Sequence, residues 1–310
     1  MSAGPAGSPP ATSGILNVDK PSGMTSHDVV AQVRRLTGQR KIGHAGTLDP
    51  MATGVLLLCL GQATRVVEYL VAGRKRYRAV VRLGVATDTY DAEGAVTRTV
   101  ESFDLSRERI EEALSDFRGT IQQVPPPYSA IRLGGRRLYD LARRGVPVEA
   151  PPRTVDIEAI QLVAWQPPDL VLEVACSPGT YVRSLAYDLG QALGVGGHLA
   201  ALTRLASGGW RLEEAVPLDV LRAAVEVGEW LHLLHPLDAA VQDLLRVDLP
   251  ADLARRVSQG QAVPLDLPPS ARLARAYAPD GGLLALLKPA GEPGLWRPEK
   301  VFITSSELRD

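Results

Sequence analysis

Gly43-His44-Ala45-Gly46-Thr47-Leu48-Asp49-Pro50, followed by Val55-Leu56-Leu57-Leu58-Cys59-Leu60-Gly61, is the stretch on which the reading of this chain turns. The apolar run reads as a buried strand. The eight residues before it are a loop with two glycines, a histidine and a carboxylate. Glycine permits positive φ and close backbone approach. Pro50 fixes its own φ and pushes Asp49 toward an extended conformation. Asp49 is thereby expected at a stiffened turn on the lip of a core. On its own, such a turn is also what an aspartate capping its own backbone looks like.

Working outward, Ile15-Leu16-Asn17-Val18 reads as a strand. It leads into Lys20-Pro21-Ser22-Gly23-Met24-Thr25-Ser26, a turn ending in residues that cap helices. Val29, Val30, Val33 and Leu36 form a helical stripe closed by Gly38. Ala63, Val66, Val67 and Leu70 give a second, short helix. In Lys75-Arg76-Tyr77-Arg78-Ala79-Val80-Val81-Arg82-Leu83 the residues alternate as in a strand. Tyr77, Ala79, Val81 and Leu83 share one face, and Arg76, Arg78 and Arg82 the other. Thr87 to Asp91 is polar and turn-like, and an acidic helix follows Leu105. Val124-Pro125-Pro126-Pro127-Tyr128 stiffens the entry to a segment carrying Arg132, Arg136, Arg137, Arg143 and Arg144 with Tyr139. Prolines 147, 151 and 152 close it. A basic, aromatic-bearing excursion of this kind suits a nucleic-acid backbone, and equally a surface hairpin. The Val171 to Cys176 strand turns through Ser177-Pro178-Gly179-Thr180 into a helix whose first turn holds Tyr181 and Arg183. Residues 200–210 read as a further short helix leading to a strand. His232 and His235, three apart on a helix, lack partners at metal-ligand spacing. After Arg246 short strands broken by prolines predict a small β-rich second domain.

The chain has 310 residues, 45% apolar and 22% charged, with a formal net charge of −1. That composition is globular and long enough for two domains. The charge is uneven: Lys20 to Arg82 holds eleven Lys/Arg against three acids, a local excess compatible with a polyanion-binding face. Cys59 and Cys176 lie in apolar runs, as buried thiols of a cytoplasmic protein would. Residues 1–12 are rich in Gly, Ala, Pro and Ser. They lack the charged and apolar regions of a signal peptide and read as a disordered tail. No apolar run is long enough for a membrane span.

Four motifs, in order, resemble the TruB family of pseudouridine synthases: Lys20 to Ser26; Gly43 to Pro50 with Ala52-Thr53-Gly54; Lys75-Arg76-Tyr77; and Gly179-Thr180-Tyr181-Val182-Arg183-Ser184-Leu185. The Leu202-Thr203-Arg204 stretch and the proline-arginine segment also fit. The resemblance runs from about Ile15 to the C-terminus. Met51 and Trp210 stand where Leu and Phe are more usual. The resemblance implies an α+β catalytic domain over residues 13–245, with a mixed, mainly antiparallel sheet flanked by helices and an RNA-gripping insertion at 124–152. It implies a small PUA-like β-barrel, an RNA-binding module, over 246–310.

It further implies isomerisation of uridine to pseudouridine at position 55, in the T-loop of tRNA. The N1–C1′ bond breaks and C5 joins C1′, with no redox change, so neither cofactor nor metal is expected. Asp49 is the implied catalytic carboxylate, serving as a nucleophile or in proton transfer. Arg183 keeps it ionised. Tyr77 stacks on the target base, Tyr181 supports the pocket, and Leu202 packs against the ring. With the base flipped out, His44 either fills the gap it leaves or holds the extruded nucleotide. Lys20 and Pro21 support the loop of Gly46 and Thr47, and Asp88 and Asp91 are candidates for contacts behind it. Arg132, Arg136 and Arg143 are expected on phosphates of the T-arm. A cytoplasmic monomer without obligate protein partner is implied. Two alternatives share much of this pattern: a guide-RNA-dependent synthase of the same superfamily, and an RNA-binding protein that folds tRNA.

Overall fold

The structure, a computed structural model, describes residues 12–129, 132–133, 136–137 and 150–303. The expected tail up to residue 11, and most of the 124–152 insertion with Arg143, lie outside the described residues. In chain order the first strands are β1 (Gly14–Lys20), β2 (Ile42–Ala45), β3 (Thr53–Leu60), β4 (Lys75–Leu83), β5 (Val85–Thr87), β6 (Val96–Thr99) and β7 (Gly119–Gln123). There follow β8 (Arg132–Leu133), β9 (Arg136–Arg137), β10 (Arg153–Gln166), β11 (Asp169–Cys176), β12 (Gly197–Ser207), β13 (Trp210–Arg211) and β14 (Val216–Pro217). Ten of them make one sheet in the order β14-β1-β3-β12-β4-β11-β10-β7, with β2 on β3 and β13 on β12. Pairing is antiparallel except for β1 with β14 and β3 with β12. The mixed, mainly antiparallel sheet is therefore present.

The two faces of the sheet are covered differently, and strand sequence follows from that. On one face, Leu16, Val18, Leu56, Leu58, Tyr77, Ala79 and Leu172 pack with the helices Ser26–Thr37, Arg107–Ser115, Val182–Ala192 and Leu218–Glu226. On the other, Ile15, Val55, Leu57 and Cys59 pack with the short helix at Val67–Ala72 and with Leu286 and Phe302 from the C-terminal region. β3 is buried on both faces, which is why it reads as an unbroken apolar run rather than an alternating one. Farther along the sheet the second face is open. There Arg78 pairs with Glu173 at 2.7 Å and Arg82 with Asp169 at 2.7 Å across neighbouring strands.

Residues 200–206 belong to strand β12, not to a helix. Alanines and leucines favour helix intrinsically. Pairing with β4 over almost its whole length overrides that preference. Bulges at Leu199/Ala201 and Arg204/Ala206 also break the alternation that would have marked a strand. His232 lies on the one-turn helix Trp230–Leu233, whereas His235 lies beyond it with its ring against Trp210. They are not neighbours on one helix.

The C-terminal region forms a separate five-stranded curled sheet between Leu245 and Val301, with a helix at Ala251–Ser258 packed on it. Among the described residues no helix is long and apolar enough to cross a membrane.

Candidate active site

The loop between β2 and β3 is held from three directions. From below, the turn after β1 clasps it. Lys20 is fully buried and its Nζ donates to the carbonyls of Pro21 (2.8 Å), Pro50 (3.1 Å) and Ala52 (2.6 Å). Ser22 Oγ donates to Met51 O at 3.1 Å, and Gly23 N–H to Pro50 O at 2.9 Å. Burial pulls the Lys20 ammonium down to about 8, and the Asp49 charge is the largest influence in the other direction. From the side, the hydroxyl of Ser26 accepts from Leu48 N–H at 2.9 Å and donates to Leu48 O at 3.2 Å. Thr25 caps the Ser26–Thr37 helix in a capping box with Asp28, which fixes where Ser26 sits.

From the third side comes Arg204 of β12, 1% exposed. Its guanidinium donates to Val55 O at 2.6 Å, Gly46 O at 3.1 Å and Thr47 O at 3.4 Å. Gly46 and Gly54 make this possible. Gly46 adopts φ +91°, open to glycine alone without strain. A Cβ on Gly54, at φ +98°, would lie 2.3 Å from the backbone oxygen of Arg204.

Asp49 then projects from the loop with its side chain 34% exposed, facing Arg183 from the first turn of the Val182–Ala192 helix. Arg183 Nη2 donates to Asp49 Oδ1 at 3.2 Å, and Nε lies 3.0 Å from Oδ2. The second contact has ion-pair distance, but its angle is not that of a hydrogen bond. The same guanidinium reaches a second carboxylate, buried Asp91, with Nη1 to Oδ2 at 3.1 Å. It also donates to Thr89 O at 3.3 Å and Tyr128 O at 3.0 Å. Asp91 is fixed in turn by Thr89 Oγ1 at 2.6 Å and by the Glu93 N–H at 3.1 Å. The cleft walls raise the Asp49 carboxyl above the ordinary aspartate range, with Arg183 the strongest opposing influence and Asp91 adding to the rise.

Tyr77 stands on β4 opposite Arg204 of β12 and Val174 of β11. Tyr181 is the capping residue of the helix that carries Arg183. Burial raises the pKa of both phenols, and the charge of Asp49 acts on each. Leu202 is buried on β12 in the same apolar cluster as Tyr77. His44, at the end of β2, packs edge-on against His27, with ring centroids 5.1 Å apart. Its Nδ1 is buried without a hydrogen-bond partner, and burial lowers its pKa.

Lys20, Arg204 and Arg183, far apart in the chain, thus meet at the Asp49 loop, with Tyr77 and Tyr181 near enough for the Asp49 charge to act on them. Asp88 does not join them: its carboxylate accepts from Ala95 N–H at 2.8 Å within its own turn. Of the insertion's arginines, Arg132 and Arg136 lie on the short β8–β9 pair. The local basic excess is largely committed to structure. Lys75 caps the Val67–Ala72 helix by donating to Leu70, Val71 and Gly73 carbonyls, Arg34 donates to Ile42 O, and Arg65 to Val301 O. Arg78 and Arg82 are ion-paired on the face away from Tyr77. Composition therefore overstated the free positive surface in this region. Arg204 was the residue hardest to see in advance, since only its place in the Leu202-Thr203-Arg204 stretch marked it.

Comparison with known proteins finds relatives over most of the chain. The model described as TruB family pseudouridylate synthase (N terminal domain) matches residues 34–182, and that of the tRNA pseudouridylate synthase B C-terminal domain matches 183–242. A Dehalococcoides mccartyi protein named tRNA pseudouridine synthase B is 43% identical over 297 residues, covering 96% of this chain and 99% of that one. One of the same name from Gloeobacter violaceus is 51% identical over 257 residues, covering 82% and 87%. Among solved structures, a chain of a Cbf5-Nop10-Gar1 complex superposes with a TM-score of 0.74 at 28% identity, covering 96% of this chain and 87% of that one. A chain of an H/ACA RNP bound to a substrate RNA gives 0.72 at 26% identity, with the same coverages.

Proposed function

The chain belongs to the TruB family of pseudouridylate synthases, and from that we propose that it converts the T-loop uridine of tRNA (position 55) to pseudouridine, with Asp49 as its catalytic carboxylate. The observation that carries this is the Asp49–Arg183–Asp91 arrangement: a partly exposed carboxylate at a cleft, aligned by a buried arginine that a second, fully buried carboxylate holds in place. The reaction needs such a group. The N1–C1′ bond breaks, the base turns, C5 bonds to C1′, the C5 proton leaves, and N1 ends protonated, so atoms balance without an oxidant. Three roles fit a carboxylate there: attack on C1′, attack on the base, and removal of a ribose proton. All three require ionised Asp49, and the charge-assisted contact from Arg183 favours that form.

The target base must leave its stack, at a cost on the order of a few kcal/mol. Tyr77 and Leu202 form the apolar wall that receives it, Tyr181 closes the pocket, and His44 meets the space it vacates. The 124–152 insertion grips phosphates, positioning the T-arm rather than reading it. Residues 13–245 act as the catalytic domain, and the sheet beyond Leu245 as a PUA-like RNA-binding element. The work is done in the cytoplasm by a monomer.

The test is tritium release from unmodified tRNA labelled at uridine C5, with wild type and Asp49→Asn compared. Release by wild type alone, mapped to the T-loop, is expected. The Asn variant should lose activity by at least about a thousandfold while retaining tRNA binding. The likeness to H/ACA particle chains raises a second reading, guide-RNA dependence. Tight tRNA binding with no release by purified wild type would favour it.

A further inference from the structure

Strand β7 ends at Gln123, 1% exposed, and both the nitrogen and the oxygen of its primary amide are hydrogen-bonded. Nε2 donates to Tyr181 O at 2.9 Å, and Oε1 accepts from Tyr181 N–H at 2.7 Å. One side chain thus binds both backbone groups of one residue. Tyr181 O also accepts the first helical bond, from Leu185 N–H at 3.1 Å. Tyr181 is the N-cap residue, at φ −98° and ψ 105°. Its backbone orientation therefore sets both where its ring points and where the helix begins. Arg183 follows two residues later.

The contact is the first of three. Ser184 Oγ donates to Val124 O at 2.7 Å, and Arg183 Nη2 donates to Tyr128 O at 3.0 Å. Successive points beyond β7 are thus fastened to Tyr181, Arg183 and Ser184. Gln123 is itself rigid, because its backbone lies opposite Arg153 in the sheet. Only a side chain with a donor and an acceptor at its tip can make this clamp. A carboxylate cannot donate to Tyr181 O, and a hydrocarbon leaves a half-buried N–H and C=O with one partner fewer.

We propose that Gln123 is a positioning residue for catalysis: by clamping the backbone of Tyr181 it sets the orientation of the Tyr181 ring and of the Arg183 guanidinium against Asp49. This rests on the function proposed above and adds to it a residue that touches no substrate. Misplacement of a catalytic group by about 1 Å can cost roughly a hundredfold in rate. A residue of merely structural importance would lower stability without selectively lowering turnover.

The experiment uses the full chain and unmodified tRNA, and compares kcat, KM and thermal midpoint for wild type, Gln123→Leu, Gln123→Glu and Thr37→Val. The last removes two buried hydrogen bonds at the C-terminal end of the Ser26–Thr37 helix, Thr37 Oγ1 to Val33 O at 2.7 Å and Gln39 N–H to Thr37 Oγ1 at 3.3 Å. Gln123→Leu is expected to lower kcat by about ten- to a hundredfold with KM within about threefold of wild type. Thr37→Val should keep its kcat at a comparable drop in midpoint. Gln123→Glu retains length and acceptor and should show the same kcat loss, which serves should the Leu variant not fold. Unchanged kcat in a folded Gln123 variant, a loss confined to KM, or an equal kcat loss in Thr37→Val overturns the inference. Wild type that makes no pseudouridine overturns the proposed function, and this inference with it, before any variant is compared.

Discussion

Arg183 shows what burial does to a single residue. It meets two carboxylates and two carbonyls, and its planar fork of donors suits several acceptors at once where a lysine would supply one point charge. Arg204 and Lys20 have the opposite diet, donating chiefly to backbone carbonyls, so their charge serves mainly to hold backbone. Asp188, on the Arg183 helix, gives a prediction at this scale. Burial lifts its carboxyl from the ordinary aspartate range to about 6. Its folded pKa is thus above the unfolded one, so its favourable contribution is complete below about pH 4 and is lost as pH rises through about 6. Asp188→Asn is expected to be more stable than wild type at pH 7, by about 1 kcal/mol after allowance for solvent screening, with the gap closing toward pH 4. Urea unfolding of both proteins from pH 4 to 8 measures this. A gap that stays constant over that range refutes it.

At the level of elements, the site depends on two strands meeting in parallel where the Asp49 loop enters the sheet. Thr53 and Gly54 of β3 lie opposite Thr203 and Arg204 of β12, and the Thr53 and Thr203 hydroxyls are 2.9 Å apart. The approach is close enough to exclude any side chain at Gly54. Gly54→Ala adds a Cβ against backbone that cannot step aside, at a φ that alanine resists. A loss of about 2–4 kcal/mol is expected, with turnover impaired because Arg204 moves with its strand. Chemical denaturation and kcat on the same preparation check both parts; a variant as stable as wild type would show that the strands part easily. Some of these elements were legible in advance. The strand at Lys75–Leu83 and the helix at Ser26–Thr37 follow directly from alternation and capping. Strand β12 was not, because its bulges and its alanines and leucines obscure the strand pattern until β4 is beside it.

For the whole molecule, the C-terminal sheet is part of the same folded body. Leu286 and Phe302 fill the same apolar cluster as Ile15, Val55 and Leu57, directly behind the strand that follows the Asp49 loop. Tyr277 Oη donates to Asp238 Oδ2 at 2.7 Å, and Lys300 pairs with Glu68 on the Val67–Ala72 helix. Phe302→Ala should cost about 3–5 kcal/mol. Because the cluster is shared, unfolding should remain a single transition by both fluorescence and far-UV circular dichroism. Two separated transitions would show the sheet to be an independent unit.

What the sequence by itself determined are the parts in which chemistry restricts residue type locally. A loop needing positive φ calls for glycine, a stiffened turn for proline, and a glycosyl rearrangement for a carboxylate. Asp49, Tyr77, Tyr181 and Arg183 were named as candidates by the resemblance of their motifs to a known family. What only the tertiary structure decided are relations between distant residues. Asp91 rather than Asp88 faces Arg183, because the turn carrying both leaves one carboxylate outside. The arginines of β4 point away from the cleft, because a strand must put alternate residues on opposite faces. Arg204 and Gln123 supply their hydrogen bonds to backbone groups far along the chain, and a backbone acceptor leaves no mark in an amino-acid sequence.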